Sequence, residues 1–302
     1  MTFQQSAYTL FTQQMQLWPQ MCRNFEALQH VQTRVFEFAH CVVRVQHNPA
    51  RIISSGAKLD ARSVAARCCF LCATHRKSEQ LGVDWGDYTL LVNPFPIFPH
   101  HFTLPYREHR PQCIAPYFTD MLQTARALPE FVVFYNGPEC GASAPDHMHF
   151  QVGDRDFLPL LTDYQRLRDT CRCLDSGNDY AVRLMDREHY LRAVVAIEAA
   201  TVEAVIEAFE RLYHALPCHG VEPMMNIVCA YANDRWCVFV IPRGAFRPRQ
   251  YYLTGDAQLL ISPATVEMSG VFIAPIEEHF LRITQDDVVD ILAQVGYNDI
   301  LV

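Results

Sequence analysis

Residues Gly141–Gln151 read GASAPDHMHFQ: a run of small residues, then His147, His149 and Gln151 at every second position, with Met148 and Phe150 between them. Side chains two apart on a β-strand face the same way. The spacing therefore predicts a strand over 147–152 that turns two imidazoles and an amide to one face and two apolar side chains to the core. A neutral imidazole is a competent nucleophile near neutral pH, because its unperturbed pKa lies close by. Its attack on phosphorus would give a phosphoramidate and divide one hard displacement into two easier ones. Gln151 can donate an amide N–H to a phosphate oxygen without titrating. Gly141, Ala142 and Ser143 can bring backbone N–H groups to the same phosphate, and Ser143 adds a hydroxyl. The plainer alternative, a half-buried strand that carries two histidines, leaves the terminal Gln and the small-residue loop unexplained.

The flanking sequence places this strand in a sheet. Residues 6–30 alternate apolar and polar positions at near-helical spacing, interrupted at Pro19. RVFEFAHCVVRVQHNP (34–49) and RIISS (51–55) are rich in β-branched and aromatic residues and predict strands. YTLLVNPFPIFPHHFTLP (88–105) predicts two strands joined by a proline-rich turn from Pro94 to Pro99. APYFTDMLQTARALPE (115–130) predicts a short amphipathic helix ended by Pro129, and FVVFYN (131–136) a further strand. This order predicts an antiparallel sheet with packed helices, an α+β fold.

After Asp154 the pattern recurs. LRAVVAI (191–197) predicts a strand, TVEAVIEAFERLYHAL (201–216) an amphipathic helix, and MMNIVCAYANDRWCVFVIPR (224–243) a hairpin about Asn233-Asp234. TVEMSGVFIAP (265–275) predicts a strand and TQDDVVDILAQVGY (284–297) a closing helix with Thr284 as N-cap. Two tandem halves are expected, 1–154 and 155–302. The second lacks His-x-His-x-Gln, so one active site per chain is expected.

Composition narrows the function class. The 302 residues are half hydrophobic, enough for a sizeable core, and carry a formal charge of −8, which argues against a general nucleic-acid binder. The start MTFQQSAYTL lacks the basic and apolar pattern of a signal peptide, and no apolar run is long enough to span a bilayer. A soluble, cytoplasmic protein without a membrane partner is expected. Twelve cysteines in so long a chain do not predict a disulfide scaffold; Cys229 and Cys237 sit in apolar runs, as buried thiols do. In RCCFLCATHRK (67–77), Cys69 and Cys72 have a spacing that lets two thiolates bind one metal ion, with Cys68 and His75 as substitutes. A redox pair is the alternative, but no clear strand precedes the motif. Lys58 and Lys77 are the only lysines. Arg243, Arg247 and Arg249, and earlier Arg51, Lys58 and Arg62, are candidate phosphate contacts.

These motifs carry a resemblance. GASAPDHMHFQ resembles the active-site segment of the histidine-triad superfamily, in the His-x-His-x-Gln branch. That branch contains galactose-1-phosphate uridylyltransferase, diadenosine tetraphosphate phosphorylase and the GDP-hexose phosphorylases. The resemblance implies that His149 is the nucleophile that becomes nucleotidylated, and that Gln151 favours transfer or phosphorolysis over hydrolysis. VNPFPIFPHHFTLP (92–105) resembles the superfamily's strand-turn-strand, which implies a nucleotide contact from Asn93 and a site histidine at His100 or His101. Asn136 in FYNGPECGAS (134–143) matches a family Asn, whereas Glu139 departs from the family, since a carboxylate beside a phosphate is unfavourable. Several uridylyltransferases bind zinc through a set that corresponds to Cys69, Cys72, His109 and His147, a structural zinc that would orient the catalytic strand. NIVCAYANDRWCVFVIPR (226–243) and ISPATVEMSGVFIAP (261–275) resemble the second half of the phosphorylases.

The implied function is nucleotidyl transfer or phosphorolysis on a nucleotide sugar through a nucleotidyl-histidine. Inorganic phosphate or a sugar 1-phosphate would be the acceptor, with structural zinc and no organic cofactor. A dinucleoside polyphosphate phosphorylase or hydrolase is the rival within enzymes. A zinc-stabilised nucleotide-binding protein without turnover is the rival outside them. A homodimer is the assembly to test for.

Overall fold

The β-branched and aromatic runs form strands, and their pairing builds one long sheet and one short one. The computed structural model describes residues 1–52, 56, 61–297, 299 and 300. Its strands are β1 (Gln32–Glu37), β2 (Val42–His47), β3 (Gly82–Trp85), β4 (Tyr88–Val92), β5 (His101–Pro105), β6 (Phe131–Asn136), β7 (His149–Asp154), β8 (Arg172–Ser176), β9 (Tyr180–Met185), β10 (Val194–Ala199), β11 (Met225–Ala232), β12 (Arg235–Pro242) and β13 (Val271–Ala274). Ten of them form a sheet in the order β3-β4-β5-β7-β6-β11-β12-β10-β9-β8, antiparallel throughout. The remaining three form a small sheet, β1-β2-β13.

The long sheet holds the same motif twice. From the outer edge inward the first half runs β3-β4-β5-β7-β6 and the second β8-β9-β10-β12-β11. In each a helix, Phe118–Ala127 or Val202–Ala215, precedes the innermost strand. The halves meet where β6 pairs antiparallel with β11, Phe134 opposite Val228 at the middle of the ladder. Gln151 lies opposite Phe134 and Phe239 opposite Val228. With Phe134 and Val228 as equivalent centres, His149 and Gln151 correspond to Cys237 and Phe239. The second copy thus carries less polar side chains at both positions, and its cysteine is a poor substitute for an imidazole.

Alternation along the strands gives the sheet two buried faces. On one, Val133, Tyr135, Met148 and Phe150 pack under the helices Phe3–Leu17, Pro19–Leu28, Phe118–Ala127 and Val202–Ala215. On the other, Val132, Phe134, Val228 and Phe239 pack against the small sheet and the helix Gln285–Val295. Thr284 caps that helix by accepting from the Asp287 N–H, in a capping box. No helix among the described residues is long and apolar enough to cross a membrane.

Three local expectations change. The strand expected over 147–152 begins at His149, because His147 N–H closes a turn on the Ala144 carbonyl. RIISS does not open as a strand: Pro49–Arg51 is a 3₁₀ turn closed by Arg51 N–H on the Asn48 carbonyl, and residues 53–55 lie outside the described set. TVEMSGVFIAP begins as a helical turn, Thr265–Met268, in which Glu267 accepts from the Ala264 N–H at 2.9 Å, and only Val271–Ala274 is strand.

Candidate active site

The short start of β7 separates the two histidines. His147, in the turn, points away from the sheet, and His149, on the strand, enters a cavity of about 570 Å³ with Gln151. The cavity floor is β7, and its walls come from the proline-rich turn after β4, the loop 141–143, the Cys-x-x-Cys segment and the chain from Arg247 to Ile273. Among the described residues its walls carry five cationic side chains, Arg51, Arg67, Arg76, Lys77 and Arg247, against the single carboxylate of Glu267. This balance is the reverse of the whole chain's net charge of −8 and suits a polyanion.

Hydrogen bonds settle the proton on each ring. His149 Nδ1 lies 2.8 Å from the His147 carbonyl, which can only accept, so Nδ1 carries the proton and Nε2 the lone pair. Burial pushes the His149 pKa down to about 4, although the carbonyl bond works the other way, so the ring is neutral at pH 7. In His101, fully buried, Nδ1 accepts from the Ile97 N–H at 3.2 Å. Its Nε2–H therefore donates to Gln151 Oε1 at 2.9 Å. That bond turns the Gln151 NH₂ away from His101 and leaves it free to donate. Burial, helped by the charge of Arg51, pushes the His101 pKa down to about 3. His100 faces elsewhere: it pairs with Asp154 at 2.8 Å and packs on Tyr8 and Phe11.

The loop before β7 supplies donors unevenly. Gly141 has φ +98°, and a Cβ there would meet Ala264 Cβ at 2.5 Å, so both backbone and space require glycine. Gly141 and Ser143 line the cavity, and neither N–H has a partner among the described residues. Ala142 does not join them: it is fully buried and its N–H is spent on the Gly137 carbonyl. Asn136 lines the cavity while its Oδ1 accepts from Thr265 N–H at 2.9 Å and Thr265 hydroxyl at 2.7 Å. Asn93 also lines it; its amide shapes the turn, accepting from Phe95 N–H and donating to Thr103. Glu139 lies against Gly220 rather than in the cavity wall.

Arg243 is a correction. Its guanidinium donates to the carbonyls of Val295, Pro263, Ala245 and Phe246 and to Asn226 Oδ1 at 2.6 Å. Every N–H direction is used inside the protein, so none remains for a substrate phosphate. Arg249 pairs with Asp290, and Arg62 is exposed. Arg51 and Arg247 do line the cavity, and Lys58 lies outside the described residues.

Cys69, Cys72, His109 and His147 converge although 78 residues separate the first from the last; their ligand atoms all lie within 4.8 Å of one another. Cys69 Sγ is 3.2 Å from His147 Nδ1, and Cys72 Sγ is 3.2 Å from His109 Nδ1. Tetrahedral coordination at ordinary zinc bond lengths puts neighbouring sulfur and nitrogen about 3.5 Å apart. The ring protons agree with such a role: His147 Nε2–H donates to the Tyr106 carbonyl at 2.7 Å, which leaves the Nδ1 lone pair toward the sulfurs. Burial opposes ionisation of Cys69, yet the contact with the His147 ring and hydrogen bonds from the backbone amides of Leu71 and Cys72 carry its pKa down to about 6. This donor set can hold a metal ion. Cys68 is exposed and outside it, and His75 instead donates to the Cys69 carbonyl at 3.1 Å.

Several site residues carry no sequence signal. Gln112, almost fully buried, accepts from His149 N–H at 2.8 Å and donates to the carbonyls of His149 and Asn136 at 3.1 and 2.9 Å. It bridges β6 and β7 beyond the point where their ladder ends at Phe134 and Gln151. Glu222, from the second half, accepts from Ile114 N–H and the Tyr135 hydroxyl and so holds the segments on either side. Gln112 stands in no motif, and Glu222 in a loop, so neither could be singled out without the tertiary contacts.

Comparison with known proteins bears on the fold. Residues 10–154, just under half of the chain, match a family described as a domain of unknown function, DUF4922. Protein APA1 of Saccharomyces cerevisiae is 34% identical over 80 residues. That segment is 24% of this chain and only 25% of APA1. Yeast Ap4A phosphorylase Apa2 shares the fold across both halves: its crystal structure covers 93% of this chain and 94% of its own, with a TM-score of 0.56 at 18% identity. The complex of Apa2 with AMP gives 0.57 at 17% identity, over 93% of this chain and 96% of its own.

Proposed function

We propose that this chain is a nucleotidyl transferase or phosphorylase that works through a covalent nucleotidyl-His149. The observation that carries the reading is the ring of His149: neutral, with its proton held on the His147 carbonyl and its Nε2 lone pair in a cavity lined by cations. Nε2 attacks the α-phosphorus, a P–N bond forms, and the P–O bond to the leaving group breaks with its electron pair on that oxygen. An oxygen of the acceptor, inorganic phosphate or a sugar 1-phosphate, then attacks phosphorus, and the P–N electrons return to Nε2. Gln151, oriented by His101, and the N–H groups of Gly141 and Ser143 donate to the non-bridging oxygens as charge gathers there. Asn93 and Asn136 border the nucleotide. Glu267, whose carboxyl burial pushes upward, is an acceptor for a sugar hydroxyl.

The substrate proposed is a nucleoside diphosphate sugar. A dinucleoside polyphosphate is the second reading, favoured by the fold shared with Apa2 over both halves. Residues 1–154 would form the half that carries the chemistry, and 155–302 a degenerate copy that closes the cavity through Arg247, Ser262 and Glu267. The metal proposed at Cys69, Cys72, His109 and His147 is zinc, which supplies no chemistry to the reaction and fixes the turn from which His149 hangs.

The test is a panel of nucleotide sugars and dinucleoside polyphosphates, with and without inorganic phosphate. Nucleoside diphosphate released only with phosphate, and an acid-labile label on His149 from an α-labelled substrate, are expected. Absence of label from every member of the panel would overturn the reading. Preferential turnover of the dinucleoside polyphosphates would replace the sugar by the second reading.

A further inference from the structure

Arg67 is anchored on one side and unpaired on the other. Its Nη2 donates to Asp146 Oδ1 at 2.7 Å and to the Ser143 carbonyl at 3.3 Å, and its guanidinium lies 5.1 Å from the centre of the Phe70 ring. Both hydrogen-bond partners belong to the loop that leads into His149. Nη1 is buried and has no hydrogen-bond partner among the described residues, while the side chain as a whole is a quarter exposed and forms part of the cavity wall. A buried donor without a partner is expensive and rare in native proteins, and where one persists a ligand is a common reason.

The surroundings define that ligand. Among the described residues the cavity gathers five cations around one carboxylate, so an anion belongs there. The guanidinium fork matches the oxygens of a phosphoryl group. The loop that anchors Arg67 also supplies the Gly141 and Ser143 N–H groups.

We infer that Arg67 is a phosphate-binding catalytic residue of this cavity, with Nη1 donating to a non-bridging oxygen of the phosphoryl group that faces His149. Asp146 holds the fork in place and connects it to the metal cluster, since its other oxygen lies 3.7 Å from His109 Nε2. The inference rests on the nucleotidyl-His149 reading for the identity of that phosphoryl group. Negative charge moves onto the non-bridging oxygens during transfer, so the contact strengthens as the reaction proceeds.

The experiment compares zinc-loaded wild type, Arg67→Gln and Arg67→Lys in two measurements. The first is binding of inorganic phosphate by calorimetry. The second is the single-turnover rate constant for labelling of His149, which is independent of the fraction of active protein. In Arg67→Gln, phosphate affinity falls about tenfold and the labelling rate constant about 100-fold, with zinc content unchanged. Lysine restores the charge without the fork, so Arg67→Lys recovers part of both. Phosphate affinity equal to wild type in Arg67→Gln, or no phosphate binding by wild type, overturns the inference. If Arg67→Gln loses zinc, Arg67→Lys decides: weaker phosphate binding with zinc intact supports the inference, and unchanged binding overturns it. A wild type that binds phosphate but is never labelled defeats the nucleotidyl-histidine reading instead, and the binding measurement still judges Arg67.

Discussion

The main-chain carbonyl of His147 accepts the Nδ1 proton of His149 at 2.8 Å. The side chain of the first residue belongs to the Cys/His cluster that can hold a metal ion, and its backbone sets the tautomer of the second. The two histidines are neighbours in sequence with different work, and their replacement should have different consequences. His149→Ala is expected to remain folded with full zinc content and to lose about 10³-fold or more in the rate of nucleotidyl transfer. His147→Ala should lose zinc, melt at lower temperature and lose activity as a result. Metal analysis, thermal melting and labelling of the two proteins check this, and equal zinc loss in both would contradict it.

Removal of the metal should act on the same turn. Prolonged chelation is expected to lower the melting temperature and slow labelling of His149, and stoichiometric zinc should restore both. Cys69→Ser should reproduce the chelated state and resist rescue, because it removes a thiolate at the buried end of the cluster.

Gln112 replaces the missing rungs between β6 and β7. Gln112→Ala strands the His149 N–H and leaves the His149 and Asn136 carbonyls short of a donor in a buried place. A loss of about 2–4 kcal/mol in unfolding free energy is expected. Gln112→Glu keeps the acceptor for His149 N–H but not the two donors, and should be at least as damaging. Urea unfolding of the two variants measures both effects.

Gly141→Ala meets two obstacles, the φ of +98° and the contact with Ala264 at 2.5 Å. A destabilisation of about 1–3 kcal/mol is expected from the backbone conformation, with more from the clash. Ala264→Gly in the same protein should recover the clash and leave the backbone cost, a difference that a double-mutant cycle reads directly.

His101 gives stability a pH dependence of known sign. Its folded pKa, about 3, lies below the ordinary value of 6.5, so between these values the unfolded chain binds a proton that the folded chain does not. Stability contributed by the neutral ring is therefore complete above pH 6.5 and declines as pH falls toward 3. Urea midpoints for wild type should fall more steeply between pH 7 and pH 5 than those of His101→Asn. Parallel slopes in the two proteins would show that His101 ionises freely. The same variant releases Gln151 from its orienting bond and should slow transfer at pH 7.5.

Much of this was legible in the residues. The alternation after the small-residue loop placed Met148 and Phe150 in the core, and the two expected hairpins and helices form where periodicity and turn residues put them. The edge strands β3 and β8, and β9 beside β8, were not foreseen, because strands at the margin of a sheet bury little and alternate weakly. Arg243 shows the limit of reading a charge in a loop: an arginine that binds phosphate and one that binds five backbone and amide oxygens have the same sequence context.

Local sequence decided what depends on neighbours along the chain: strand and helix periods, the capped closing helix, the glycine at 141 and the thiol spacing at 69 and 72. The tertiary structure decided what depends on distance in space. It brought His109 and His147 to those thiols, turned His101 rather than His100 to Gln151, spent Arg243 on the core and left Arg67 facing the cavity. The physical reason is the same in each case. A hydrogen-bonding group is committed by its partners, and partners as far as 79 residues away along the chain are chosen by the packing of sheets and loops.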